Sequence, residues 1–277
     1  MNSSDIFDVR GLGVIVTGGA SGLGLGFAEA LAANGARVTL MDMNETTLAA
    51  QVERLSGLGY DVRGVRLDVT DRPALHQAFD ETTALYGRLD VVFANAGIDP
   101  GPGFVTGTIG SNDRTRPEEF ALENYADARW DRVIEVNLNS VFSTLKAAAR
   151  NMKPQRRGRI IVTTSIAAFA NEAAIGAAYM ATKAGAAHLM RNAALELAKH
   201  NIRVNAIAPG PFLTNIGDGY IQDPKIQEVF ARAVPLGRIG KPADMTGLAL
   251  FLASEASSFV TGEQIVIDGG AHMGMPD

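Results

Sequence analysis

Residues 13–42 read GVIVTGGASGLGLGFAEALAANGARVTLMD. GVIVT (13–17) is apolar and β-branched, the composition of a buried strand. GLGFAEALAANG (24–35) is rich in Ala and Leu and stops on glycine, as a helix does, with its body over Leu25 to Asn34. ARVTLMD (36–42) is a second strand. Two strands joined by a helix pair in parallel through a right-handed crossover. Gly18, Gly22 and Gly24 lie at the join of the first strand and the helix, with Ser21 and Leu23 between them. The first glycine permits the sharp turn, the second lets backbone approach a pyrophosphate, and the third lets the helix pack closely on the sheet. The helix N-terminus adds N–H groups and partial positive charge. Asp42 ends the second strand 24 residues after Gly18, where a carboxylate accepts two ribose hydroxyls and repels a 2'-phosphate. Gly19 and Met43, where a phosphate-binding Arg or Lys would stand, are uncharged. The expected cofactor is NAD rather than NADP; the alternative for Asp42 is a cap on the next helix.

The alternation continues through DVRGVRLDV (61–69), LDVVFAN (89–95), RIIVTT (159–164), IRVNAIAP (202–209) and EQIVIDGG (263–270), with helices such as ETTLAAQVERLSGLG and RPALHQAFDETTALYG between them. Seven strands so arranged predict a three-layer α/β/α fold around a mostly parallel sheet. Several strands are continuous apolar runs, so helices should cover both faces. No repeat or low-complexity linker divides the 277 residues, and a single domain over 1–277 is expected. Residues 98–129 break the rhythm with Gly, Pro, Asp and Asn. A long loop beyond the carboxyl end of a strand reads as a substrate lid, the alternative being a tolerated surface insertion. Asp68-Val69 and Asn95-Ala96-Gly97 finish the third and fourth strands, where Asp68 suits an adenine amino group; ordinary turn chemistry also favours these types. The predicted cofactor set is Gly18, Ser21, Gly22, Leu23, Gly24, Asp42, Met43, Asp68, Val69, Asn95, Ala96 and Gly97.

Composition excludes other classes. With 25 Lys plus Arg against 30 Asp plus Glu, the net charge is −5, and Arg156, Arg157 and Arg159 form the one basic cluster, so nucleic acid is not an expected partner. The first ten residues carry no apolar h-region, and apolar runs stop short of the ~18 residues a membrane span needs. The absence of cysteine rules out disulfides and fits a cytoplasmic setting. His76, His188, His200 and His272 lack ligand spacing, so no metal site is expected. The nine methionines read as core filler and tail, and Trp130 as a packing anchor.

Ser165 follows the fifth strand, and AAYMATKAG (177–185) places Tyr179 and Lys183 four apart on one helix face. A phenol ionises near pH ~10, and bringing it close to neutrality requires about 4 kcal/mol. An ammonium ~4 Å away at an effective dielectric of ~20 supplies about that much. Ser165 would then hold a substrate oxygen beside the phenol, and Asn137, in the helix DRVIEVNLNSVF, would anchor a water passing the proton to Lys183 and solvent. Taken singly, Tyr179 and Lys183 are a solvated helix pair, Ser165 a cap, and Asn137 a backbone contact.

From about Gly11 to Gly270 the chain resembles the short-chain dehydrogenase/reductase family, through TGGASGLG, LDV, NAG, the Asn of NLNSVF, the Ser of VTTS, YMATK, APGPFLT and IDGG in the family's order. The resemblance implies a Rossmann-type fold, a nicotinamide cofactor, and the tetrad Asn137, Ser165, Tyr179 and Lys183. It further implies that Pro209, Gly210, Phe212 and Thr214 close over the carboxamide, that hydride passes between nicotinamide and a secondary alcohol carbon, and that the protein is a homotetramer. Two features depart from the family: one extra residue between Ser165 and Tyr179, near Asn171-Glu172, and the long 98–129 loop. Residues 166–169 and 211–216 should line the substrate pocket and lack Arg or Lys, which points to a neutral alcohol or ketone, cyclic or medium-sized, unless Arg114, Arg116 or Arg129 intrudes. Within the 211–240 substrate loop, QDPKIQEVFARAV reads as a second lid. The helix from Ala177 to His200 is apolar on nearly every face and should bury its outer side against another subunit. The competing readings are a non-catalytic dinucleotide sensor or scaffold, and an epimerase.

Overall fold

The structure, a computed structural model, describes residues 2–99, 118–171, 175–214 and 216–274. The middle of the 98–129 loop with Arg114 and Arg116, together with Glu172 and Asn215, lies outside the described residues. After a helical turn α1 (Ser3–Ile6), the chain runs β1 (Gly13–Thr17), α2 (Gly22–Ala33), β2 (Arg37–Asp42), α3 (Glu45–Gly57), β3 (Val62–Arg66), α4 (Arg72–Tyr86) and β4 (Val91–Ala94). Then come α5 (Asp127–Ile134), α6 (Ser140–Met152), β5 (Gly158–Thr163), α7 (Ala177–Leu197), β6 (Ile202–Pro209), α8 (Pro224–Arg232), α9 (Thr246–Ala253) and β7 (Gln264–Ile267).

The strands form one seven-stranded sheet in the order β3-β2-β1-β4-β5-β6-β7, every neighbouring pair parallel. Because strand residues alternate between faces, Ile15 enters one core with Phe79 of α4 and Met190 of α7, while Val14 and Val16 enter the other with Leu31 of α2 and Leu252 of α9. On that second face Phe27 of α2 stacks on Phe93 of β4 with centroids 4.8 Å apart. The three-layer α/β/α fold is thus present, with both faces covered. The order reverses between β1 and β4, which leaves a crevice at the carboxyl ends of those strands.

Boundaries differ from expectation where side chains or glycines end an element. β3 stops at Arg66 rather than Val69, because Asp68 Oδ1 accepts the Thr70 N–H at 2.9 Å and its hydroxyl at 2.8 Å, folding the chain toward α4. β7 stops at Ile267, ahead of left-handed Gly269 (φ 66°) and Gly270 (φ 93°). α2 starts at Gly22, ahead of Leu25, and the helix expected through Asn137 is split by a π turn at Glu135–Asn139. Hydrophobic periodicity carries no signal for that extra residue per turn. The helix expected from Ala177 to His200 finishes as a 3₁₀ turn after Leu197. Trp130 stays 37% exposed, while α5 buries Val133, so Trp130 is not an interior anchor. Among the described residues no helix is long and apolar enough to cross a membrane.

Candidate active site

The strand-end crevice opens as a cavity of about 340 Å³, within the size range of small-molecule sites. It is lined by Gly18, Ser21, Gly22 and Leu23 after β1, Asp42 and Met43 after β2, Asp68 and Val69 after β3, and Asn95, Ala96 and Gly97 after β4. Ser165, Tyr179, Lys183, Pro209, Gly210, Phe212 and Thr214 line it too, whereas Gly24 and Asn137 do not.

The glycine loop has the geometry expected of it. Gly18 (φ 62°) and Gly22 (φ 54°) are left-handed, a region that penalises any Cβ. At Gly24 an added Cβ would fall 2.1 Å from the Gly18 carbonyl oxygen and 2.5 Å from Asn95 Nδ2, so the first turn of α2 is pressed onto the end of β1. Ser21 makes no side-chain capping bond, which leaves first-turn N–H groups of α2 available to an anion. Asp42 Oδ2 accepts the Ala20 N–H at 3.1 Å, and Oδ1 accepts the Asn44 N–H at 3.0 Å. The cap of α3 is Asn44, which takes the Thr47 N–H, so the capping alternative for Asp42 does not hold. A tight backbone cradle beside a helix N-terminus, with an acid at the next strand end, fits a dinucleotide.

Asn95 has work beyond a turn. Its Nδ2 donates to the carbonyls of Thr17 (3.1 Å) and Gly18 (3.3 Å), while its Oδ1 accepts from Thr163 Oγ1 at 3.1 Å. Thr17 Oγ1 in turn accepts the N–H groups of Asn95 (3.0 Å) and Ala96 (3.2 Å). The ends of β1, β4 and β5 are therefore tied together by Thr17, Asn95 and Thr163, and the two threonines were not singled out in the sequence because strand threonines are commonplace.

Ser165 lies just beyond β5 and caps the 3₁₀ turn Ile166–Ala168, its Oγ accepting the Ala167 N–H at 3.1 Å and donating to Pro209 O at 3.4 Å. Tyr179 and Lys183 stand one turn apart on α7, both buried. Lys183 Nζ donates to Thr163 O at 2.7 Å and lies 5.3 Å from the centre of the Tyr179 ring. Burial lowers the Lys183 pKa to about 8, and the charge of Asp99 works against that fall.

The side chain of Asn137 is committed to the backbone of the loop after β4. It is fully buried, Oδ1 accepting the Ile98 N–H at 2.8 Å and Nδ2 donating to Ile98 O at 2.7 Å. An amide matches the donor and acceptor of a peptide unit, and the π turn directs it at one. Its Oδ1 and Lys183 Nζ still meet at Gly97, 3.3 Å and 3.5 Å from where a Cβ would stand.

Apolar side chains of Ile98, Ile166, Ile175, Ile216, Ile221 and Phe230 line another part of the wall. Of residues 166–169 only Ile166 reaches the wall; Phe169 is half exposed, its ring edge-on to His272 at 5.8 Å. Two charged wall residues, Asp99 and Arg132, were missed because no motif flags them. Among the described residues no group of three or more His, Asp or Glu is placed to hold a metal ion.

Over residues 18–272 the chain matches the family model described as Enoyl-(Acyl carrier protein) reductase. The 3-oxoacyl-[acyl-carrier-protein] reductase of Chlamydia pneumoniae is 34% identical over 261 residues, 93% of this chain and 95% of that protein. The solved structure of a gluconate 5-dehydrogenase from Burkholderia cenocepacia J2315, in complex with NADP and tartrate, is 30% identical with a TM-score of 0.84 over 98% of this chain and 99% of the other. A 3-oxoacyl-[acyl-carrier protein] reductase from Brucella melitensis with bound NAD is 32% identical, with a TM-score of 0.81 over 99% of this chain and 98% of the other.

Proposed function

Because the chain belongs to the short-chain dehydrogenase/reductase family, an oxidoreductase acting on an alcohol or ketone, we propose that it is NAD-dependent and uses Tyr179 as general acid and base. The observation that carries this reading is that Asp42, Ser165, Tyr179 and Lys183 line one cavity. Asn137, Ser165, Tyr179 and Lys183 form the catalytic group. When bound, the nicotinamide accepts or returns the hydride.

The chain's own residues handle the proton and the orientation. Ser165 Oγ holds the substrate oxygen, and Tyr179 takes the hydroxyl proton during oxidation and returns it during reduction. Lys183, held by Thr163 O and enclosed away from screening water, makes the phenolate less costly. Asn137 acts by fixing Ile98, and with it the wall that faces Tyr179. A sensor or scaffold has no use for a buried ammonium beside a phenol, and an epimerase would show no net NADH.

Asp42 favours NAD. Its two oxygens, steadied by the Ala20 and Asn44 amides, suit the ribose hydroxyls, and a 2'-phosphate would bring like charge against them. Met43 beside it is exposed and uncharged. Initial rates with NAD+ are expected to exceed those with NADP+ at equal concentration by at least about tenfold, the equivalent of one pKa unit of charge repulsion. A faster reaction with NADP+ removes the preference.

The apolar wall favours a neutral cyclic or medium-sized alcohol or ketone. NADH formation across cyclic alcohols, sugars and acyl thioesters tests it, and preference for the thioesters would overturn it. The whole of 1–277 serves as one catalytic domain. The protein works in the cytoplasm as a homotetramer without nucleic-acid or membrane partners. Leu195 of α7 (83% exposed) and Phe142 of α6 (49%) offer apolar surface to a second copy. Light scattering is expected to give the mass of four chains, and a monomer mass would exclude the assembly.

A further inference from the structure

Asp99, two residues beyond the NAG turn, is a carboxylate with 6% exposure that lines the cavity alongside Tyr179 and Lys183. It meets α7 at the helix's N-cap. A Cβ on Gly176 would fall 2.8 Å from Asp99 Oδ1 and 3.8 Å from Tyr179 Cβ, so the missing side chain at Gly176 is what admits the carboxylate there. Gly176 is the N-cap of α7 and supplies no side-chain capping bond. A negative charge is thus seated at the positive end of a 21-residue helix, against the turn that carries Tyr179.

We propose that Asp99 is a positioning residue of the hydride-transfer site, its charge fixing the Tyr179 turn of α7 against the loop after β4 and sustaining the ammonium of Lys183. This rests on Tyr179 and Lys183 being the acid–base pair. Among the described residues, the titratable groups facing Lys183 are Tyr179 on its own helix and Asp99 from the β4 loop. Tyr125, whose pKa burial raises, feels the charges of both Asp99 and, on α5, Arg129. Burial draws the Lys183 pKa down to about 8, and Asp99 opposes that fall. Without Asp99, Lys183 would lose its proton at lower pH. The descending limb of the pH–rate profile would move down with it.

The experiment is the pH dependence of kcat for alcohol oxidation in wild type, Asp99→Asn and Asp99→Ser, with NADH affinity measured for each. In wild type the descending limb is expected near pH 8, to which burial lowers the Lys183 pKa. Both variants are expected to move that limb down by about one pH unit, the order of effect of one neighbouring charge, with NADH affinity unchanged. Should Asp99→Asn fail to bind NADH, Asp99→Ser decides. A second arm introduces Gly176→Ala. It should slow turnover severalfold in wild type, where the new methyl meets the carboxylate, and have little effect in Asp99→Ser, where it does not. A lower kcat with the descending limb in place, or equal effects of Gly176→Ala in the two backgrounds, overturns the proposal. Retained turnover in Tyr179→Phe would instead sink the acid–base reading beneath it.

Discussion

Tyr179→Phe is expected to lower kcat by on the order of a thousandfold, the usual worth of a positioned general acid–base. NADH affinity should stay within about twofold of wild type, and the fold should be undisturbed. The separation follows from what the ring does. Its carbon face packs in a small cluster with Val133, Ala167 and Ala178, contacts that phenylalanine keeps. The hydroxyl is the group that exchanges a proton with substrate, and no other buried phenol lines the cavity among the described residues. Steady-state rates and an NADH fluorescence titration on the same preparation check both halves. Turnover at the wild-type rate would remove Tyr179 from the chemistry, and loss of both rate and affinity would make the residue structural.

Gly24→Ala should be nearly as damaging by a different route. The new methyl would stand 2.1 Å from the Gly18 carbonyl oxygen and 2.5 Å from Asn95 Nδ2. Neither can yield cheaply. Gly18 is backbone at the head of the loop, and Asn95 is held by Thr17, Gly18 and Thr163. Relief requires α2 to lift from β1, which spoils the pyrophosphate cradle and disturbs the stacking of Phe27 on Phe93. A loss of about 3 kcal/mol in stability is expected, at the upper end of overpacking costs, with NADH binding weakened at least about a hundredfold. Thermal melting and NADH titration measure the two effects. Wild-type affinity in this variant would mean that the close helix–strand approach is not needed for the cofactor.

How far the sequence reaches depends on the range of the interaction behind each feature. Strand and helix identity came through because β-branched runs and terminal glycines are local. The Tyr179–Lys183 pairing came through because helix pitch alone fixes it. The ends of β3 and β7 did not, since they are set by where Asp68 and the glycines at 269 and 270 turn the chain. Asn137 was singled out in the sequence, but its geometry was not legible there: the π turn that aims its amide at Ile98 leaves no periodic trace in NLNSVF.

The amino-acid order by itself determined the crossover unit, the glycine cradle, the acid that ends β2, and the one-turn spacing of phenol and ammonium. Each is a relation between residues close along the chain, governed by backbone geometry. Only the tertiary structure decided that Asn95 ties three strand ends together, that Asn137 clamps the β4 loop, and that Asp99 reaches the head of α7 through the gap left by Gly176. Those are contacts between segments 39 to 78 residues apart, which come into being when the parallel sheet gathers its strand ends. A buried polar group must find its partner wherever the packed chain provides one, and no local pattern records where that will be.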